Sequence, residues 1–180
     1  MINSIISTLI ILFIFQSSTY TNEYPIKIEI TQGTIEKWEY NFKSGKLEQD
    51  FENLKPRSIN YMPYPFNYGF ILNTFNKFDS DPLDAVVIGE KLNMSDTIFA
   101  KPIAVVKTID NGEIDDKVIF IHKSSPLYKI DNKIDLQNSY PGVIEIICLF
   151  FENYKGKSSN VIGVKDENYA KKLIISKKIN

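Results

Sequence analysis

The chain has 180 residues, 43% of them hydrophobic, and its 21 basic and 22 acidic side chains leave a formal net charge of -1. That length suits one domain with one core, the composition excludes a disordered chain, and the balanced charge excludes a nucleic-acid binder held by bulk positive charge. One cysteine, Cys148, and one histidine, His122, exclude an intrachain disulfide and a zinc site of the usual nitrogen and sulfur type, so any metal here must be held by oxygen.

Ile5 to Phe15 is apolar apart from Ser7 and Thr8, and small polar residues follow it before the first charge at Glu23. Residues 1–22 therefore read as a signal peptide or N-terminal anchor, and residues 23–180 as the folded domain. The alternative is an apolar strand or helix packed on the core. With the leader the protein is expected to be exported, periplasmic or secreted, or tethered to a membrane; without it, cytoplasmic. Pro25 to Ile30 alternates, with Ile26, Ile28 and Ile30 on one face and Lys27 and Glu29 on the other, which predicts a half-buried strand. Ile35 to Phe42 predicts a second strand, Lys43-Ser44-Gly45-Lys46 a turn, and Leu47 to Phe51 the start of a third. The irregular segment after it carries Arg57, the one arginine of the chain.

Ala85 to Ile88 and Ile98 to Thr108 are rich in β-formers. Asn111-Gly112 is a strong hairpin signal, and a two-residue loop there pairs Asp110 with Glu113 and Thr108 with Asp115. Asp110, Asp115 and Lys117 then project from one face. Taken alone, a solvated hairpin tip is the favoured reading. Pro141 to Lys155 predicts a helix that buries Ile144, Ile147, Cys148 and Phe151 and stops at Gly156. Asp166 to Lys178 predicts another, with Ala170, Leu173 and Ile174 inward. The expected architecture is β-rich α+β: an antiparallel sheet curled into a small barrel, with two helices late in the chain. Cys148, in an apolar run, reads as a buried and inert thiol.

The chemistry concentrates in Asp79-Ser80-Asp81-Pro82-Leu83-Asp84, which follows the aromatic turn Tyr64-Pro65-Phe66-Asn67-Tyr68-Gly69. Three carboxylates so close repel one another unless a cation sits among them. Hard divalent ions such as Mg²⁺ choose oxygen ligands of this kind. An EF-hand fails, because Leu83 stands at a ligand position and Asp84 at the turn glycine. Fully extended, Asp79 and Asp84 would lie roughly 17 Å apart, so a shared metal cluster needs a bend, which Pro82 helps to set. Asp110, Asp115 and Glu29 are further acids. Lys37, Arg57, Lys117, Lys155, Tyr68 and Tyr154 are candidate phosphate donors. Together these are the parts of metal-assisted phosphoryl chemistry.

Tyr-Pro-Phe-Asn-Tyr-Gly-Phe, Asp-Ser-Asp-Pro-Leu-Asp, Asp-Asn-Gly-Glu-Ile-Asp-Asp-Lys and Phe-Phe-Glu-Asn-Tyr-Lys occur in that order. From about Pro25 to Gly156 the chain resembles the family I soluble inorganic pyrophosphatases. The resemblance implies a five-stranded OB-type barrel with two helices and Mg²⁺-dependent hydrolysis of pyrophosphate to two orthophosphates, with several ions per site. It implies that Asp79, Asp84 and Asp115 bind the first ion and that Asp84 reaches a second. Asp110 and Asp115 would hold one that arrives with substrate, and Glu29 would lie near another. Asp81 would be the base, and Lys37, Arg57, Tyr68, Lys117, Tyr154 and Lys155 would grip the phosphates. It also implies a homo-oligomer, dimer or hexamer. Ser80 departs from the family's glycine; if that position needs a positive φ, serine costs roughly 1–2 kcal/mol. Two other readings stand beside this one. In the first the protein hydrolyses another small phosphoanhydride. In the second it is a non-catalytic OB-type module that stacks single-stranded nucleic acid on Tyr64, Phe66, Tyr68 and Phe70, although the charge balance favours a protein without nucleic acid.

Overall fold

A computed structural model describes residues 22–77, 80–156 and 158–179. The leader expected over residues 1–22, save Asn22 itself, and the expected ligand Asp79 lie outside the described residues. Among the described residues the strands are, in chain order, β1 (Tyr24–Ile30), β2 (Trp38–Asn41), β3 (Lys46–Gln49), β4 (Phe51–Glu52), β5 (Lys55–Pro56), β6 (Asn67–Ile71), β7 (Asp84–Ile88), β8 (Thr97–Asp110), β9 (Glu113–Ile114), β10 (Lys117–His122) and β11 (Ser159–Asp166). The helices are α1 (Lys133–Ser139), α2 (Val143–Asn153) and α3 (Glu167–Ser176).

The main sheet runs β1-β6-β7-β10-β8-β11, and β1 also pairs with β8, so β1, β6, β7, β10 and β8 close into a five-stranded barrel. Four of its seams are antiparallel; β7 and β10 run parallel, which makes the sheet mixed. The parallel seam requires a crossover, and the long strand β8 supplies it by threading from β1 past β10 to β11. Closure leaves the barrel strands without free edges.

Close approach at one seam depends on Gly69. A Cβ there would sit 1.9 Å from the Lys27 carbonyl oxygen, so no larger residue lets β1 and β6 pair. Ile26, Ile28 and Ile30 are fully buried as their alternation predicts. Glu29, expected on the solvent face, is instead almost buried: β2 crosses over it, and the Tyr40 backbone N–H donates to Glu29 Oε1 at 2.7 Å.

Helix α2 packs on one face of the sheet, against side chains of β7, β8 and β10. Its buried side chains are Ile144, Ile147, Phe150 and Phe151. Phe150 meets Tyr64 at 5.0 Å and Phe66 at 5.2 Å between ring centres. Phe150 thus takes the inward place expected of Cys148, which is half-buried, because the large ring fills the space beneath the aromatic turn. Helix α3 buries Ala170 and Ile174 against a second cluster, with Leu173 packed partly against it. It is capped by Asp166, whose carboxylate accepts from the Tyr169 N–H. The short α1 was not foreshadowed by periodicity, since only Leu136 of its seven residues is buried.

Candidate active site

The Asn111-Gly112 hairpin forms in the predicted register. Asp110 pairs with Glu113, the Asp115 N–H donates to the Thr108 carbonyl at 3.0 Å, and Asn111 and Gly112 both have positive φ. That register places Asp110 and Asp115 on the wall of a cleft of about 300 Å³. Asp84 enters at the head of β7, directly beside Lys117 at the head of β10, because the two strands begin in parallel register. The far end of α2 delivers Tyr154 and Lys155, while β1 delivers Glu29, β2 delivers Glu39, and Lys37 lies just before β2. Residues as distant in sequence as Glu29 and Lys155 share one cavity.

Of the expected site residues, Glu29, Lys37, Tyr68, Asp81, Asp84, Asp110, Asp115, Lys117, Tyr154 and Lys155 line the cleft. Arg57 does not. Its guanidinium pairs with Asp50 at 3.0 Å, and Asp50 also lies 3.4 Å from the Lys37 ammonium. Arg57 thus reaches the cleft through one carboxylate. No motif or spacing singles out Asp50 in the sequence. Three backbone bonds assemble this trio: Lys37 N–H to Arg57 carbonyl, Asp50 N–H to Lys37 carbonyl, and Arg57 N–H to Asp50 carbonyl. Trp38, Tyr40 and Phe42 also line the cleft. Aromatics in a short strand read first as packing, so no sequence signal marks them.

The electrostatics follow from crowding. Lys117, 2% exposed at its side chain, bonds both Asp84 and Asp115. Burial works to lower its pKa, but the two carboxylates outweigh burial and raise it, so Lys117 stays protonated. Burial pushes Asp84 up to about 6, with Asp115 adding to the rise and Lys117 opposing it. Asp115 is held below its usual range: burial opposes, but Lys117 and Lys155 prevail. Glu29 is pushed up to about 8, chiefly by burial and further by Asp84 and Glu39. Burial also raises the Tyr68 and Tyr154 hydroxyls, which remain neutral donors.

Among the described residues, no three acids converge on a single point, because the Lys117 and Lys155 ammoniums sit between them. The donor set nevertheless fits hard cations. Seven acids among the described residues line the cleft against three lysines, all donors are oxygen, and Asp110 Oδ1 is buried with no hydrogen-bond partner. A lysine ammonium placed between carboxylates holds the charge that a divalent ion would take over.

The profile of the inorganic pyrophosphatase family matches residues 26–179. The chain belongs to that family. It is 33% identical over 144 residues to soluble inorganic pyrophosphatase 3 of Arabidopsis thaliana, covering 79% of this chain and 63% of that protein. It is 31% identical over 155 residues to the inorganic pyrophosphatase of Nostoc sp., covering 83% and 86%. The recombinant inorganic pyrophosphatase from T brucei brucei superposes with a TM-score of 0.84 at 26% identity, over 98% of this chain and 56% of that one. This chain therefore spans somewhat less than two thirds of the plant relative. The OB-type barrel is the fold of these pyrophosphatases. Ser80, the departure from the family's glycine, has φ +63°, so the position does take the left-handed conformation that glycine tolerates best. The four aromatics considered for stacking are largely withdrawn from solvent: Tyr64, Phe66 and Phe70 are buried and Tyr68 is half-buried, which removes the stacking surface.

Proposed function

We propose that this protein hydrolyses inorganic pyrophosphate to two orthophosphates with Mg²⁺ as cofactor. The observation that carries this reading is the single cleft in which the aspartates of two distant segments meet lysines and tyrosines from three others. Glu29, Asp84, Asp110 and Asp115 are the described residues that would hold the ions, together with Asp79. When bound, the ions supply charge neutralisation on the phosphates and acidify a water.

The remaining steps belong to the chain's own groups. Asp81 is exposed at the cleft wall and accepts the proton of the attacking water. Lys37, Lys117 and Lys155 bind phosphate oxygens, and the neutral Tyr68 and Tyr154 hydroxyls donate to them. Arg57 acts through Asp50 by orienting Lys37. Fixed donors of this kind stabilise charge as it develops on the leaving phosphate. Lys117, which bonds Asp84 and Asp115, and Lys155, which bonds Asp110, would be free to bind phosphate where an ion held those carboxylates.

Phosphate release from pyrophosphate in Mg²⁺ is the direct measurement, run beside short polyphosphate and nucleoside triphosphate. Asp81→Asn should lower kcat by about 10²–10⁴-fold with little change in KM. Equal turnover would remove Asp81 from its role, and faster release from another anhydride would reassign the substrate. The apolar stretch Ile5–Phe15 supports export of the protein, which N-terminal sequencing of native material tests. Self-association as a dimer or hexamer is checked by light scattering; exposed Ile146 and Leu149 on α2 support it.

A further inference from the structure

The backbone that carries Asp81 is clasped by the segment that follows α3. Thr74 forms a β-bridge with Lys178. The Phe75 N–H donates to the Lys177 carbonyl at 2.8 Å, and the Ile179 N–H donates to the Asn73 carbonyl at 3.0 Å. The Lys177 ammonium donates to Asn76 Oδ1 at 2.8 Å. Asn76, 5% exposed, turns those contacts inward: its N–H donates to the Asp81 carbonyl at 2.7 Å and its carbonyl accepts from the Ser80 N–H at 2.9 Å. Asn76 and Lys177 do not line the catalytic cleft; both line a separate cavity of about 180 Å³ under α3.

Ser80 gives the clasp a physical task. At φ +63° a serine is strained, and such a conformation persists only when its surroundings over-determine it. The bonds of Asn76 to Ser80 and Asp81 supply that constraint, and the segment after α3 holds Asn76. We propose that Asn76 and the segment Lys177–Ile179 are positioning residues that keep the Ser80–Asp81 backbone in the strained conformation aiming Asp81 at the cleft. The inference rests on the pyrophosphatase reading for its activity readout and on the loop alone for its structural one. Release of the clasp lets the loop relax, and Asp81 then spends less time in reach of the reacting water.

The test uses the full chain, a Lys177→Met variant, and a chain ending at Lys177. Turnover at saturating Mg²⁺ and pyrophosphate should fall about tenfold or more in both variants while KM moves little, because misplacement acts on the reacting geometry. Amide hydrogen exchange at Asn76 and Ser80, read without metal, should quicken. Adding Ser80→Gly to Lys177→Met should recover turnover, since glycine holds a positive φ without support. Lys177 is half-exposed and Ile179 exposed, so neither variant opens the core; unfolding in urea reports this directly. Unchanged turnover together with unchanged exchange at Asn76 and Ser80 would overturn the proposal. A wild-type chain inactive on pyrophosphate would defeat the proposed function, whereas the exchange measurement would still decide the clasp.

Discussion

Asp115 and Asp116 are adjacent, both are paired with a lysine, and they face different cavities. Asp115 joins Asp84 around Lys117 in the candidate active-site cleft, where seven described acids face three lysines. Asp116, 5% exposed at its side chain, pairs with Lys107 under α3, where among the described residues it is the one acid lining that cavity beside Lys107 and Lys177. The two ion pairs look alike singly. What separates them is the charge balance around each: under α3 one described acid faces two lysines, whereas seven described acids in the cleft face three. An unbalanced carboxylate cluster on an open wall is costly to maintain, and binding is what offsets that cost.

Removal of metal tests the contrast most severely. Chelation should abolish phosphate release and added Mg²⁺ should restore it. Activity that survives chelation would mean that the excess of acids in the cleft is not there for cations. Next in size is the neighbour pair itself. Asp115→Asn should cost about a hundredfold or more in kcat. Asp116→Asn should leave kcat near wild type but lose about 3 kcal/mol in urea unfolding, because it strands the Lys107 charge. Similar effects of the two substitutions on both measurements would erase the distinction.

Ser80→Gly alone probes the acidic loop while its clasp is intact. Strain of roughly 1–2 kcal/mol is relieved, and the freer unfolded chain offsets part of it, so stability should rise by up to about 1 kcal/mol. A loss of stability on calorimetry would show that the serine hydroxyl does something further. The smallest effect lies outside both cavities. Burial raises the Cys148 thiol to about 11. Thiolate is therefore scarce at neutral pH, and iodoacetamide labelling at pH 8 should run roughly a hundredfold slower than for a free thiol and accelerate up to about pH 11. Fast labelling at pH 8 would contradict the inert reading of that residue.

Local order made much of this molecule legible. Alternation in Pro25–Ile30, the Asn111-Gly112 loop and the 3.6-residue pattern of α2 are short-range signals, and each forms close to where it was expected. The hairpin register followed from the turn alone, and with it the common face of Asp110 and Asp115. The four motifs contain Tyr68, Asp81, Asp84, Asp110, Asp115, Lys117, Tyr154 and Lys155, which line the cleft, whereas Glu29 and Lys37 lie outside them and Arg57 does not line it. The parallel seam between β7 and β10, by contrast, joins strands separated by the whole of β8, and no local pattern encodes that pairing.

The chain order of residues thus determined which side chains were available for chemistry: a metal limited to oxygen ligands, a set of carboxylates, lysines and tyrosines, and a serine in place of glycine at position 80. Tertiary structure decided which of them meet. It buried Glu29 beneath β2 against its alternation and routed Arg57 through Asp50 instead of into the cleft. It also joined the segment after α3 to the loop of Asp81. Such contacts form between segments brought together by barrel closure, and their energies depend on burial and charge balance, which only the folded arrangement sets.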